Sequence, residues 1–391
     1  MPKKTQYALI AIILPPITYA LYRYSIGIII PEFELAYSVN DSFMGGIISS
    51  SIGLVALGAF VSSSAAQKYG ELRTVFLGLL IFSLPLALIA LSGTLIEFLV
   101  LFLSASFGGG LMTPPVYTIA NSLLPKRRGT AVSMVTAAYN LGGLIGSPIV
   151  GYLLIRFTWN TSFLLIGIAG LGTFLAFLLA FGRGQKASSL KTTKGSFKLV
   201  AQNRTILVLM LANFFADLAF LTFVSWTPKF LISNFKVGEG YIATVGTFFG
   251  IGIGIGGIGT LLIGALLGRL GGRKCAIING VVASFSMLGI YIANSLAVAI
   301  VMLLVAGFVA NWYFTILTAM AQASVPAEIR TSATSLVQTS GFVGEFVGPG
   351  LAGFIGGAAT FPLILTVVVP NLIYTGIMIA FQRRAQHQSG M

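Results

Sequence analysis

Long apolar runs alternate with short polar breaks along the whole chain. Bounded by charged or turn-rich segments, the runs fall at 7–30, 43–66, 74–92, 95–123, 129–155, 161–182, 205–231, 240–268, 275–293, 295–324, 331–358 and 361–382. Each supplies the roughly 20 apolar residues that a helix needs to cross the hydrocarbon layer. Strands of a membrane barrel would instead alternate in polarity over segments of about ten residues. The pattern therefore predicts twelve transmembrane helices, an all-α integral membrane fold. The start MPKKTQ lacks a small-residue cleavage site after a short apolar stretch, so the first span reads as retained.

Composition narrows the function. Of 391 residues, 56% are hydrophobic and 8% charged, with a mean hydropathy of +0.96. A soluble domain carries about 25% charged residues, so soluble enzymes, DNA-binding domains and secreted disulfide scaffolds are excluded. One cysteine, Cys275, and one histidine, His387, leave no His/Cys metal site, and no metal or cofactor is expected. The net charge of +14 does not signal nucleic acid, because nearly all basic residues lie in the polar breaks. Placing the N-terminus in the cytoplasm puts Lys3, Lys4, Lys68, Arg73, Lys126, Arg127, Arg128, Arg183, Lys186, Lys191, Lys194, Lys198, Arg204, Arg269, Arg273, Lys274, Arg330, Arg383 and Arg384 inside. Only Arg156, Lys229 and Lys236 fall outside. The positive-inside rule then sets both termini in the cytoplasm of a multi-pass protein, expected in the cell membrane.

The chain repeats itself. SSAAQKYGELR after the second span matches GALLGRLGGRK after the eighth: Lys68 with Arg269, Gly70 with Gly271 and Arg73 with Lys274, each pair 201 positions apart. Pro125 and Pro326 share that offset, and GSPIVG at 146–151 pairs with GPGLAG at 348–353. The expected organisation is a six-helix half at 1–182, a cytoplasmic linker at 183–204 rich in Lys, Ser, Thr and Gly, and a second half at 205–391.

With these features the sequence resembles the major facilitator superfamily along its whole length. That family's loop motif, Gly-x-x-x-Asp-Arg-x-Gly-Arg-Lys, survives as Lys68, Gly70 and Arg73, with Gln67 in the Asp place. The second copy keeps Gly264, Arg269, Gly271, Arg273 and Lys274, with Gly268 for Asp. Pro-x-x-Arg-Gly after the fourth span is present as Pro125, Arg128 and Gly129. The first span, TYALYRYSIGIIIPEF, and WTPKFL at the end of the seventh resemble the anion:cation symporter group, which includes sialin and sugar-acid transporters. By that resemblance Arg23 would bind a substrate carboxylate, and spans one, four, seven and ten would line a central cavity. Tyr22 replaces the group's aspartate, and the fourth span holds only Glu97, near its start.

Charge inside the hydrocarbon costs about 2.5–3.5 kcal/mol per residue on insertion scales, so each instance needs a reason. Three lie deep: Arg23, Asp217 and Glu345. A guanidinium grips a carboxylate through two parallel hydrogen bonds, and Tyr19, one turn earlier on the same face, adds a phenol. The alternatives for Arg23 are snorkelling to headgroups or pairing with Glu345 or Asp217. Burial favours the neutral form of a carboxyl, which suits reversible protonation by Glu345, or else by Asp217 with Asn213 one turn before it. Gln338, Phe342 and Glu345 share one helix face. Tyr22, Tyr117, Asn121, Tyr139, Asn140, Asn213, Asn311, Trp312 and Gln338 are further substrate-contact candidates, each equally explained as interhelical glue. Pro148 and Pro349 are candidate gating kinks.

Gly254-Ile-Gly256-Gly257-Ile-Gly259 matches a dinucleotide fingerprint but lies in an apolar helix with no preceding strand, so it reads as helix packing. There is no GxxxxGK[ST] loop and no catalytic constellation. The leading expectation is a monomeric secondary transporter of a small organic anion, coupled to protons, working in the lipid bilayer by alternating access. A multidrug/proton antiporter and a non-transporting membrane sensor are the alternatives. Against the antiporter, SASFGGG at 104–110 lacks an Arg-x-x-Gln-Gly pattern.

Overall fold

A computed structural model describes the backbone of residues 3–124, 128–181, 200, 202–235, 240–326 and 329–389. Most of the expected linker 183–204, Pro125 and the side chain of Arg128 lie outside the described residues. Within them the chain forms twelve helices and no strand. These are α1 (Lys3–Tyr37), α2 (Asp41–Tyr69), α3 (Glu71–Leu88, closed by a 3-10 turn Ile89–Leu91), α4 (Leu95–Leu123), α5 (Arg128–Arg156) and α6 (Trp159–Phe181). Then come α7 (Arg204–Asn234), α8 (Tyr241–Leu270), α9 (Gly272–Tyr291) and α10, whose stretches Leu296–Ala310 and Trp312–Ala323 are interrupted at Asn311. The last are α11 (Arg330–Phe354) and α12, which begins as Thr360–Leu363, passes through a π turn Ile364–Val368 and continues as Val369–Ser389.

Eleven of these helices are long and apolar enough to cross a membrane. The twelfth, α11, carries Gln338 and Glu345 among serines, threonines and glycines. Large apolar side chains such as Phe60, Leu91, Leu179 and Phe354 are exposed. In water that would drive aggregation; in a bilayer, lipid chains are their solvent. Polar side chains fix the helix starts. Thr94 and Glu97 form a reciprocal capping box on α4, and Asn203 accepts from the backbone N–H groups of Thr205 and Ile206 at the start of α7.

One boundary differs from the sequence expectation. The first apolar run stops at 30, yet α1 passes through Pro31 to Tyr37. Proline removes one N–H from the helix ladder, but the added turns pack aromatic rings. Phe33 lies 4.4 Å from Phe98 and 5.1 Å from Trp159, centroid to centroid.

The described residues cluster into two compact units, one within Met1–Val39, Ser50–Leu190 and Glu239–Gly250, the other within Asn40–Ser49, Lys191–Gly238 and Ile251–Met391. In the first, α1 packs on α4, α5 and α6, and α3 on α4 and α6. In the second, α7 packs on α10, α11 and α12, and α9 on α10 and α12. Each pairing recurs six helices on.

The repeat extends to backbone angles. Gly70 (φ +89°, ψ 152°) and Gly271 (φ +78°, ψ 154°) each turn the chain between two helices. Each donates its N–H to the carbonyl four residues back, of Ala66 and Leu267, and its own carbonyl accepts the first bond of the next helix, from Thr74 and Cys275. Only glycine adopts these angles without strain. Gly70→Ala and Gly271→Ala are each expected to lose about 1–3 kcal/mol, read as a lower unfolding temperature in detergent. An added Cβ meets nothing within 4 Å at either site, so the loss is backbone strain alone. Gly264→Ala, equally open but helical, is the control expected to be neutral or stabilising.

Candidate functional site

In the first unit the polar chemistry gathers around Arg23 on α1. Its side chain is half-buried with Nε inside the protein, and its charge acts on the phenol oxygens of Tyr22 and Tyr139. The Tyr19 ring, one turn earlier, is buried 6.0 Å from Phe82, 6.2 Å from Tyr22 and, edge-on, 6.0 Å from Tyr139. It packs on Gly109, where any Cβ would overlap the ring. The neighbouring glycines serve other helices: Gly108 seats α3 at Phe82, and Gly110 seats α2 at Val55. The run SASFGGG thus lets α4 approach three helices at once.

The tyrosine hydroxyls are paired with hydroxyls on α4 and α5. Tyr22 bonds Ser106 at 2.9 Å, Tyr139 bonds Thr113 at 3.3 Å, and Tyr117 bonds Thr136. Tyr22 is fully enclosed, with Phe82 and Phe102 at 5.7 and 5.5 Å, whereas Arg23, Thr113, Tyr117 and Tyr139 keep part of their surface open. Asn140 donates to the Thr136 carbonyl of its own helix at 3.3 Å. Asn121, one turn beyond Tyr117, holds a buried Oδ1 with no hydrogen-bond partner. Arg23, Tyr19, Tyr22 and Tyr139 are therefore one cluster, Tyr117 and Asn140 adjoin it through Thr136, and Asn121 stands a turn away.

In the second unit Asp217 is a bracket between helices. It is buried on α7; Oδ2 accepts from Asn213 Nδ2 at 2.7 Å and Oδ1 accepts from the Tyr313 hydroxyl on α10. Asn213 also donates to the Val337 carbonyl on α11 at 2.9 Å. A Cβ at Gly341 would overlap the carboxylate, so glycine is required there. Gly344 and Gly348 likewise seat α11 against Phe214, Leu218 and Thr222 of α7. Glu345 is buried on the same stretch of α11, and Gln338 is half-buried two turns earlier. Beside Tyr313, a cavity with room for about one water is lined by Phe220, Asn279, Met287 and Asn371.

Other predicted residues sit in packing seams. The glycine run of α8 receives α10: Gly252 and Gly256 meet Gly307, and Gly259 meets the Phe308 carbonyl and Trp312 Nε1. Asn311 is the break in α10, with Nδ2 above Gly256, and Trp312 is buried. The dinucleotide-like spacing is thus a helix seam. Pro148 stays inside a continuous α5 against Gly250, and the carbonyl of Pro349 in α11 accepts from Trp226 Nε1 at 3.1 Å. At the helix ends beside Gly70 and Gly271, Lys68 lies over Tyr69 and Arg273 over Phe381, while Arg73 and Arg269 are exposed.

Sequence reasoning missed three partners: Ser106, Tyr313 and the ion pair of Lys229 with Asp41. Lys229 was legible only as an outer-side charge. Its buried setting over Trp226 at 5.5 Å depends on α7 meeting the first turn of α2.

The helix packing recurs in the two units, and similarity to known proteins makes the chain a membrane transporter rather than an enzyme. The sequence profile of the Major Facilitator Superfamily matches residues 16–349 and 231–388, and the chain belongs to that superfamily. It is 24% identical over 392 aligned positions to the cis,cis-muconate transport protein of Acinetobacter baylyi, covering 95% of this chain and 92% of that protein. It is 26% identical over 226 positions to the hexuronate transporter of Bacillus subtilis, where the match spans 55% of this chain and 53% of the relative. The fold is shared with a bacterial homolog of the human lysosomal transporter Spinster, in an inward-facing, occupied conformation. There the TM-score is 0.80, at 16% identity over 98% of each chain.

Proposed function

We propose that this protein is a secondary transporter of a small organic anion, with Arg23 as the carboxylate anchor. The observation that carries the reading is a half-buried arginine in the middle of α1, one turn from Tyr19, with part of its own surface open and its charge reaching Tyr22 and Tyr139. The names of the two relatives support it, since muconate and hexuronates are both carboxylates. The two six-helix halves, 1–182 and 205–391, would alternate access to the site, with Pro148 and Pro349 as flexing points. Asp217 has both oxygens occupied by Asn213 and Tyr313, which suits a structural bracket. Glu345 is therefore the proposed proton carrier. The location proposed is the cell membrane, with both termini cytoplasmic and a monomer as the working unit.

The test is uptake of labelled muconate, benzoate and glucuronate into proteoliposomes, with and without an inward-acid pH gradient. Uptake is expected, accelerated by the gradient in wild type and gradient-independent in Glu345→Gln. Extrusion of lipophilic cations with no carboxylate uptake would replace the proposal with a drug antiporter. Carboxylate uptake that never responds to the gradient would remove the proton coupling alone.

A further inference from the structure

The second unit has a polar pocket where its repeat partner is filled by rings. We propose that one buried water molecule is a fixed component of that pocket, bound between Asn279, Asn371 and Tyr313. The two halves overlay residue by residue. Helices α1, α3, α4 and α6 begin at 3, 71, 95 and 159, and α7, α9, α10 and α12 begin at 204, 272, 296 and 360, each 201 positions later. At that offset Phe220 takes the place of Tyr19, and Ala283 the place of Phe82. In the first unit those two rings pack with centroids 6.0 Å apart. Ala283 brings no ring, and the cavity it lines has room for about one water. Where the first unit has Gly78, Met112 and Gly170, the second has Asn279, Tyr313 and Asn371, all buried and all on the cavity wall. Loss of side-chain volume thus coincides with a gain of three polar groups. Apolar cavities stay dry, whereas a polar one with several partners holds water.

The hydrogen bonds point the same way. Asn279 spends its Nδ2 on the Val309 carbonyl at 2.8 Å, and Tyr313 gives its proton to Asp217. Asn371 donates to the Met287 sulfur at 3.1 Å, a weak acceptor. Among the described residues neither asparagine Oδ1 accepts a hydrogen bond, and a phenol oxygen that has donated can still accept. The pocket therefore offers oxygens that ask for a donor. Asn279 and Asn371 lie inside membrane spans, where lipid chains supply none. A water serves two of these oxygens with its protons and accepts from the Asn371 amide, which otherwise holds only the sulfur. That makes three bonds, the usual number for a buried water. It ties α9 and α12 to the Tyr313–Asp217 bracket between α7 and α10. Asn371 enters the pocket just after the π turn Ile364–Val368, a break of the kind that recurs at functional positions.

The experiment starts on the wild-type protein, with brief X-ray radiolysis followed by mass spectrometry. Hydroxyl radicals arise from bound water, so an enclosed side chain is oxidised only where a water touches it. Met287 and Met112 are 2% and 1% exposed. Met287 lines the pocket, while Met112, pressed against Gly78, stands in the Tyr313 position of the first unit. Met287 is expected to be oxidised and Met112 spared; equal labelling of the two, high or low, would overturn the proposal. The second measurement is thermal unfolding of Asn371→Leu, which keeps the approximate shape and removes the polar end. Around a dry void that change deletes a poorly satisfied polar group and raises the unfolding temperature. Around a bound water it removes a partner, and a fall of about 2–4 °C is expected, the size of one lost hydrogen bond. The same unfolding is run in sodium chloride and in choline chloride. A sodium-dependent rise in wild type that Asn371→Leu abolishes would assign the pocket to a cation and overturn the water. The labelling arm needs no variant, so an Asn371→Leu protein that fails to fold leaves the test intact.

Discussion

Arg23→Ala is expected to slow carboxylate uptake by about 30-fold at least, and by more than about 1000-fold if the anion is fully desolvated. Removing one partner of a buried, hydrogen-bonded charge pair costs about 2–5 kcal/mol, and each 1.4 kcal/mol is about tenfold. The guanidinium sits one turn from Tyr19 on α1, so alanine leaves neither charge nor fork at the anchor. Arg23→Lys keeps the charge but loses the planar pair of donors, and should fall between wild type and alanine. Initial rates in proteoliposomes, normalised to correctly folded protein, read the effect. A loss below about threefold for alanine, less than the roughly 0.7 kcal/mol of a typical neutral hydrogen bond, would remove Arg23 from substrate binding.

The second large effect belongs to stability. Lys229 and Asp41 form an ion pair with side-chain exposures of 11% and 26%. Asp41 also accepts from the Ala358 backbone N–H at 3.2 Å, and it fills the space beside Gly357, whose φ of +59° only glycine takes easily. Breaking a fully buried pair from one side costs about 3–5 kcal/mol, and a surface pair about 0–1. Asp41→Asn, which strands the Lys229 ammonium, is expected to cost about 2–3 kcal/mol, intermediate between those limits. Lys229→Met should cost less, because Asp41 keeps its bond from Ala358 and the Met chain still covers Trp226. A double-mutant cycle by thermal unfolding separates the pair from its surroundings. A coupling energy near zero would show the pair to be incidental.

The residues explain which parts of this site could be read from the chain. Arg23, Asp217 and Glu345 stood out because charge in an apolar run is rare and costly wherever it occurs, a rule that needs no fold. Their roles could not be read, because their partners are distant in sequence. Tyr22 meets Ser106 across 84 positions, Asp217 meets Tyr313 across 96 and Asn213 meets Val337 across 124. Glycines were ambiguous for the same reason: Gly109, Gly259 and Gly341 each admit a different side chain from another helix, and no local pattern says which.

The linear chain by itself determined the membrane class, the helices and their repeat, down to the paired turns at Gly70 and Gly271. Apolar length, capping residues and glycine-only backbone angles act within a few residues of one another, so they are written locally. Only the tertiary structure decided that Asp217 is a bracket, that Tyr19 rests on Gly109 and that α1 continues past Pro31. Those outcomes depend on which helix faces close against one another, and in a bilayer that choice is made by packing and interhelical hydrogen bonds rather than by hydrophobicity, which is nearly the same on every face.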